Sequence, residues 1–246
     1  MRPIIKANVG DVLTLADGTQ HTVLSTYSPY QSAKPVLIAN LGRFCSYCEA
    51  SYPMDRDIHV EHVQPKGLSQ YANLEERWTN FLLGCATCNG ADNKGTKDVV
   101  LGDIHLPYLN NTYKSLVYQP GGVVTVNPLL TGDSKNHAQA LLDLVGLNKT
   151  PSNSNPGDKR WLKRSEEWKI AKRYLKRYTE HKADEETILD LVSSRGCWSI
   201  WFTVFDGVDS VREVLLYGIP GNCVSCFDAN NHFYPLDRNP GSPDPV

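Results

Sequence analysis

Three observations predict an α+β fold, with a small cysteine-stapled core of short strands followed by a mainly helical C-terminal region. Two Cys-x2-Cys pairs, Cys45/Cys48 and Cys85/Cys88, bracket a segment of 36 residues. Short strand-like runs bounded by turn residues lie before and within that segment. Beyond residue 130, successive segments carry helical periodicity with recognisable start and stop signals.

In chain order, the first 28 residues read as extended. "IIKANV" (4–9) and "QHTVLSTY" (20–27) are strand-like, and Asp17-Gly18 in "LADGTQ" supplies a turn between them. Residues 32–41 predict a helix with Ser32 as cap, Pro35 in the first turn and Gly42 as the stop. Residues 58–62 predict a histidine-rich strand, and "LSQYANLEERW" (68–78) a polar loop or helix. "YQPGGVVTVNPLLTGDS" (118–134) reads as a turn-rich connection with one short strand. "SKNHAQALLDLVGLN" (134–148) predicts a helix capped by Ser134 and stopped near Gly146. "TPSNSNPGD" (150–158) is a loop, and a long helix follows within 159–182. There Trp161, Trp168, Ala171, Leu175 and Tyr178 form one apolar stripe. A further helix is expected at 184–194, a strand or buried apolar run at 197–205, and a short helix at 210–218. The Pro-rich end, 239–246, reads as a disordered tail. These elements group into an N-terminal segment (1–42), a core (43–110), a helical region (111–238) and the tail. No internal repeat is present.

The bulk properties narrow the function classes. The chain has 246 residues, 41% hydrophobic and 21% charged, as in an ordinary globular protein. No apolar run is long enough to span a bilayer, and the N-terminus lacks the apolar stretch of a signal peptide. Seven cysteines is an odd number, and four of them stand in two close pairs. That pattern argues for a reducing, cytoplasmic setting and metal binding rather than a disulfide framework. The net charge is only -2, yet residues 159–182 hold ten Lys or Arg against three Glu. Such asymmetry marks either a nucleic-acid or acidic-partner surface or a solvated helix face.

Two residues between cysteines let both sulfurs reach one ion from a tight turn, and two such turns complete a tetrahedral four-thiolate site. Cys45, Cys48, Cys85 and Cys88 are therefore candidate structural zinc ligands; a redox pair or buried core cysteines are the alternatives. A closed four-sulfur site has no open position for catalysis. His59, Glu61 and His62 are left without a role in it. Neighbours in a strand point to opposite faces, so Glu61 and His62 serve one centre only if the strand ends there, as Pro65 and Lys66-Gly67 suggest. Asn89 follows Cys88 directly and is expected to open a helix in "NGADNKGTK". A carboxylate, an imidazole and a carboxamide would then converge as a hard-cation site beside a base.

"HVEHVQPKG" (59–67), "WTNFLLGCATCN" (78–89) and the following Lys-Gly resemble the zinc-containing HNH endonucleases of the ββα-metal group. The likeness is nearest to the retron-associated and Septu-type, PtuB-like HNH proteins of antiphage systems. It is strongest over residues 43–97, with weaker echoes in "LVGLN" (144–148), the basic helix and "GIPGNCVSCFDANN" (218–231). The resemblance implies metal-dependent phosphodiester hydrolysis. Glu61 would be a ligand of a catalytic magnesium or manganese ion and His62 the general base. Asn80 would order the loop and the base, and Asn89 would be the second ligand of that ion. Lys66, Lys94, Lys97 and His59 would be substrate contacts, although His59 also reads as a plain structural histidine. Two departures stand out: Lys94 lies further past the CxxCN than the family's lysine, and Gln64 occupies a position that is often basic. The resemblance also implies an ABC-type, PtuA-like ATPase as partner, and in retrons a reverse transcriptase with its RNA–DNA product, with nucleic acid as substrate and no membrane.

Several alternatives stay open on the residues alone. A zinc-held module that binds nucleic acid or a protein needs the cysteines but no acid–base pair. Asp92 and Asn93 are fallback ion ligands. Cys223-x2-Cys226, with Cys197 and His232, is a candidate second zinc site. On the basic helix, Lys163, Arg164, Lys172, Arg173 and Lys176 are expected off the apolar stripe, facing phosphate or an acidic partner.

Overall fold

The computed structural model describes residues 1–150, 152 and 157–246. It has the expected α+β character, with small antiparallel two-stranded sheets and a helical C-terminal region. The first hairpin pairs β1 (Val12–Thr14) with β2 (Gln20–Thr22). It turns at Asp17, which accepts hydrogen bonds from the Thr19 amide and hydroxyl. The expected strand at 4–9 does not form. Ile4 instead donates to the Pro107 carbonyl and Ile5 to that of Gly221, so this segment ties distant parts of the chain together.

Helix α1 (Lys34–Leu41) keeps Pro35 in its first turn and stops at Gly42. Ser32 is not its cap. A short 3-10 turn over Tyr30–Ala33 precedes the helix, and the Ser32 hydroxyl closes that turn on the Pro29 carbonyl. The central hairpin pairs β3 (Ile58–His62) with β4 (Phe81–Cys85), with Glu61 opposite Leu82 and His62 opposite Phe81. Its register is set by burial, since all of β4 and every residue of β3 except His59 are buried. The short helix α2 (Ala86–Asn89) follows at once. Asn89 therefore ends a helix rather than opening one, because Gly90 leaves the helical region and the chain turns back on itself.

A one-turn helix α3 (Thr112–Ser115) leads into a hairpin of β5 (Leu116–Gln119) and β6 (Val123–Val126). Two strands thus stand where one was expected. Helix α4 (Gly132–Val145) ends on Gly146 at φ 61°, the left-handed stop that glycine permits. Ser134 does not cap it; the Ser134 hydroxyl donates to Asp244 at 2.6 Å instead. The loop expected at 150–158 falls largely outside the described residues. Helix α5 (Arg160–Thr179) crosses the β5–β6 turn so closely that a Cβ on Gly122 would lie 2.0 Å from the Trp161 carbonyl oxygen. Helices α6 (Glu185–Arg195) and α8 (Asp209–Gly218) pack together, and Asp184 caps α6 through the Thr187 amide. The run at 197–205 folds as helix α7 (Trp198–Val204), flanked by Cys197 and Phe205. Apolar on every side, this run has no period to distinguish strand from buried helix, and burial between α5 and α8 selects the helix.

The chain's last residues are not a loose tail. Asp244 accepts from Ser134 and meets two histidines, Asn111 donates to the Val246 carbonyl, and Val246 is buried. β7 (Phe227–Asp228) and β8 (Tyr234–Pro235) form a small hairpin just before them. One apolar core runs through the N-terminal segment, the central hairpin and the C-terminal helices.

Candidate metal and active site

The central hairpin, α2 and the turn at 45–50 bring four sulfurs together. Cys45 sits where its amide bonds the Ala50 carbonyl and its own carbonyl accepts from Glu49, a tight knuckle that Glu49 permits at φ 63°. Ser46 donates to Leu83 and the Cys85 amide points at the Cys45 sulfur, which docks this knuckle on β4. The Cys88 amide in turn points at the Cys85 sulfur. All four cysteines are buried, and their sulfurs lie within 4.8 Å of one another. Cys48 and Cys85 are 3.8 Å apart, the edge of a tetrahedron with Zn–S bonds of about 2.3 Å. The cluster therefore fits a structural metal ion such as zinc. Arg160 also donates to the Cys88 sulfur at 3.1 Å and is anchored to Asp158 at 2.7 Å. Four thiolates around one divalent ion would leave excess negative charge, and this guanidinium would offset part of it. Sequence spacing could not reveal Arg160 in that role, because 72 residues separate it from Cys88.

Glu61 and His62 end β3 beside the cluster. A hollow of about 180 Å³ lies there, lined in part by Tyr30, Glu61, His62, Lys66, Asn89 and Lys94. Glu61 is fully buried and packs over Gly84, where a Cβ would stand only 3.1 Å from the Glu61 Cβ. Glu61 Oε1 meets the Lys94 ammonium at 2.7 Å and the Tyr47 hydroxyl at 3.4 Å. Its Oε2 is buried with no hydrogen-bond partner among the described residues. Burial pushes this carboxyl above the usual carboxylate range, and the Lys94 ammonium pulls against that shift.

His62 packs edge-on against Tyr30 and Phe81, with ring centroids 4.7 and 5.2 Å away. Its Nε2 lies 2.8 Å from the Glu75 carbonyl oxygen. A carbonyl only accepts, so Nε2 carries the proton and Nδ1 keeps its lone pair in the neutral ring. Burial, the largest influence, holds the His62 pKa below its ordinary value of 6.5. Asn80 bonds both the amide and the carbonyl of Gln64 and so fixes the turn after β3.

The remaining sequence candidates divide. Asn89 lines the hollow, and Lys66 stands at its mouth, paired with Glu75 at 2.6 Å and lying over the Tyr30 ring. Lys94, expected on phosphate, is buried with its ammonium on Glu61 and on the His62 carbonyl, because the turns after α2 fold it back inward. Lys97 reaches the last carbonyls of α4, at Asp143 and Leu144, rather than the hollow. His59 is exposed and does not line the hollow. Asn93 is engaged with Thr87 and Lys149, and neither it nor Asp92 lines the hollow.

On α5, Arg164 is buried rather than surface-facing, bonding the Gly122 and Leu147 carbonyls. Lys172, Arg173 and Lys176 are exposed as expected, with Lys163 half-buried. The Cys223–Cys226 pair has its sulfurs 2.8 Å apart, but Cys197 is not grouped with it and His232 pairs with Asp209. A second metal-capable group among the described residues comprises His105, His137 and Asp244. Its members come from three distant segments, so no local spacing announces it. No family model and no curated protein matches this chain.

Proposed function

We propose that the chain is an HNH-type endonuclease that hydrolyses nucleic-acid phosphodiester bonds with a divalent metal ion. The observation that carries this reading is the hollow at the end of β3. There an acid–base pair and Asn89 share one small space beside a four-cysteine cluster, and one carboxylate oxygen is buried without a partner. A buried carboxylate oxygen without a donor is costly unless a cation complements it. Glu61 Oε2 and Asn89 would hold magnesium or manganese, which would polarise the scissile phosphate. His62 would take a proton from water at Nδ1 while donating from Nε2 to Glu75. Lys66, at the mouth, is the lysine best situated to meet a phosphate.

The resemblance of residues 43–97 extends the proposal to an antiphage effector of the retron or Septu type. It would work in the cytoplasm with an ABC-type ATPase, and in retrons with a reverse transcriptase and its RNA–DNA product. No helix among the described residues is long and apolar enough to cross a membrane. The test is incubation of the purified chain with DNA and with RNA, with and without magnesium or manganese and the ATPase. Metal-dependent cleavage supports the reading, and none under any condition rejects it.

One observation favours a second reading. The Lys94 ammonium already meets one Glu61 oxygen, which suits a metal-free module that binds without cleaving. Metal-independent binding without cleavage would select it.

The exposed cations of α5 belong to either reading. Reversing Lys169, Lys172, Arg173 and Lys176 to Glu is expected to weaken nucleic-acid binding and flatten its salt dependence, by about 0.9 in log–log slope for each phosphate that is no longer neutralised. Fluorescence anisotropy across a salt series measures this. An unchanged slope would remove α5 from the nucleic-acid surface.

A further inference from the structure

We propose that His105, His137 and Asp244 form a second, zinc-type metal site that clasps the C-terminal segment to α4. Three donor atoms converge there: Asp244 Oδ2 lies 2.8 Å from His105 Nε2 and 2.5 Å from His137 Nδ1. The two rings meet edge to face at 5.9 Å, and the His105 amide bonds the His137 carbonyl, so both are held by backbone as well as side chain.

Asp244 Oδ2 is shared by both rings. The Ser115 hydroxyl, 2.8 Å from His105 Nδ1 and 3.3 Å from the Asn111 carbonyl, has one proton and serves either ring tautomer. When Nδ1 carries the ring proton and the hydroxyl accepts it, Nε2 and the Asp244 carboxylate both present lone pairs to the space between them. A metal ion satisfies all three donors at once. The other ring nitrogen of His105 is already held by a hydroxyl, and Asp244 Oδ1 is held by Ser134, the outer-shell arrangement that orients metal ligands.

Imidazole and carboxylate donors suit zinc and its first-row neighbours. Bonds of about 2.0–2.2 Å in a tetrahedral shell require donor spacings of about 3.3 Å. The present contacts are shorter, so Asp244 Oδ2 would move away from His105 by about 0.5 Å and from His137 by about 0.8 Å as the ion enters. His137 and Asp244 side chains are 17% and 16% exposed, which leaves a route for solvent to the fourth position. His105 is fully buried behind them.

The proposed site does not depend on nuclease activity, and its test reads metal directly. Intact protein equilibrated with micromolar zinc, then freed of loose metal, is expected to hold a second zinc beyond that of the four cysteines. His137→Ala and Asp244→Asn are each expected to lose this ion and keep the cysteine-bound one. Ser115→Ala is expected to weaken it about 10- to 100-fold by removing the orienting bond. The Asn111–Val246 bond remains in these variants and continues to hold the chain end. Cobalt titration of the wild type checks the result without any variant, because a nitrogen–oxygen site lacks the strong sulfur-to-cobalt absorption of a cysteine site. A wild type that takes up metal only at the cysteines, or a second ion retained in both His137→Ala and Asp244→Asn, overturns the proposal.

Discussion

His62→Ala is expected to abolish cleavage, with a loss of about 10²- to 10⁴-fold, while zinc content and fold are retained. The residue packs against Tyr30 and Phe81, so truncation costs some local stability, but among the described residues its ring bonds only one backbone carbonyl. His62→Gln serves as the control, since its amide can still donate to Glu75 but cannot act as a base. Equal inactivity in both variants, with normal thermal denaturation and bound zinc, assigns the loss to proton transfer. Wild-type rates in either purified variant would defeat the proposed mechanism.

The same residue sets a pH expectation. His62 acts as a base only when neutral, and burial lowers its pKa from the ordinary 6.5. The acid limb of the rate profile should therefore fall below pH 6.5. The sign for stability agrees: a depressed folded pKa leaves this contribution whole above the unfolded value and erodes it as pH falls below it. An acid limb above 6.5 would mean that another group controls the rate.

How much of this was legible in the sequence depended on whether the signal was local. The cysteine pairs announced their cluster because each Cys-x2-Cys is a turn-sized unit. The strand at 58–62, the stops at Gly42 and Gly146, and the helix expected at 184–194 were legible for the same reason. The apolar stripe of α5 was legible too, but not which cations border it. Arg164 and Arg160 are drawn inward by carbonyls and a sulfur that other segments supply. Lys94 misled because five residues of turn after Asn89 reverse the chain, and no helical pattern predicts where its ammonium lands. The chain end looked disordered by composition; Asp244 is ordered by partners at 105, 134 and 137, which no window along the sequence brings together.

Removal of the four-cysteine metal is the other large expected effect. Cys85→Ser, or strong chelation, is expected to unfold the hairpin β3–β4 and the knuckle at 45–50 together. Structural zinc sites bind with an apparent free energy of about 10–16 kcal/mol, as large as the whole stability of a typical domain, about 5–15 kcal/mol. The geometry explains why the loss would spread. Cys85 is both the last residue of β4 and the cap of α2, and its amide meets the Cys45 sulfur. Glu61 and His62 lie on the strand paired with β4, so their hollow depends on the same staple. Arg160 binds Cys88, so the start of α5 should loosen as well. Elemental analysis, circular dichroism and hydrogen exchange would follow these changes. Fast exchange is expected first along 45–62 and 81–89, then at the start of α5, with α6 and α8 protected longest because they pack on each other. Folded, fully protected wild-type protein that contains no metal would refute the staple. Loss of metal with exchange confined to the knuckle would instead limit its reach to the turn itself.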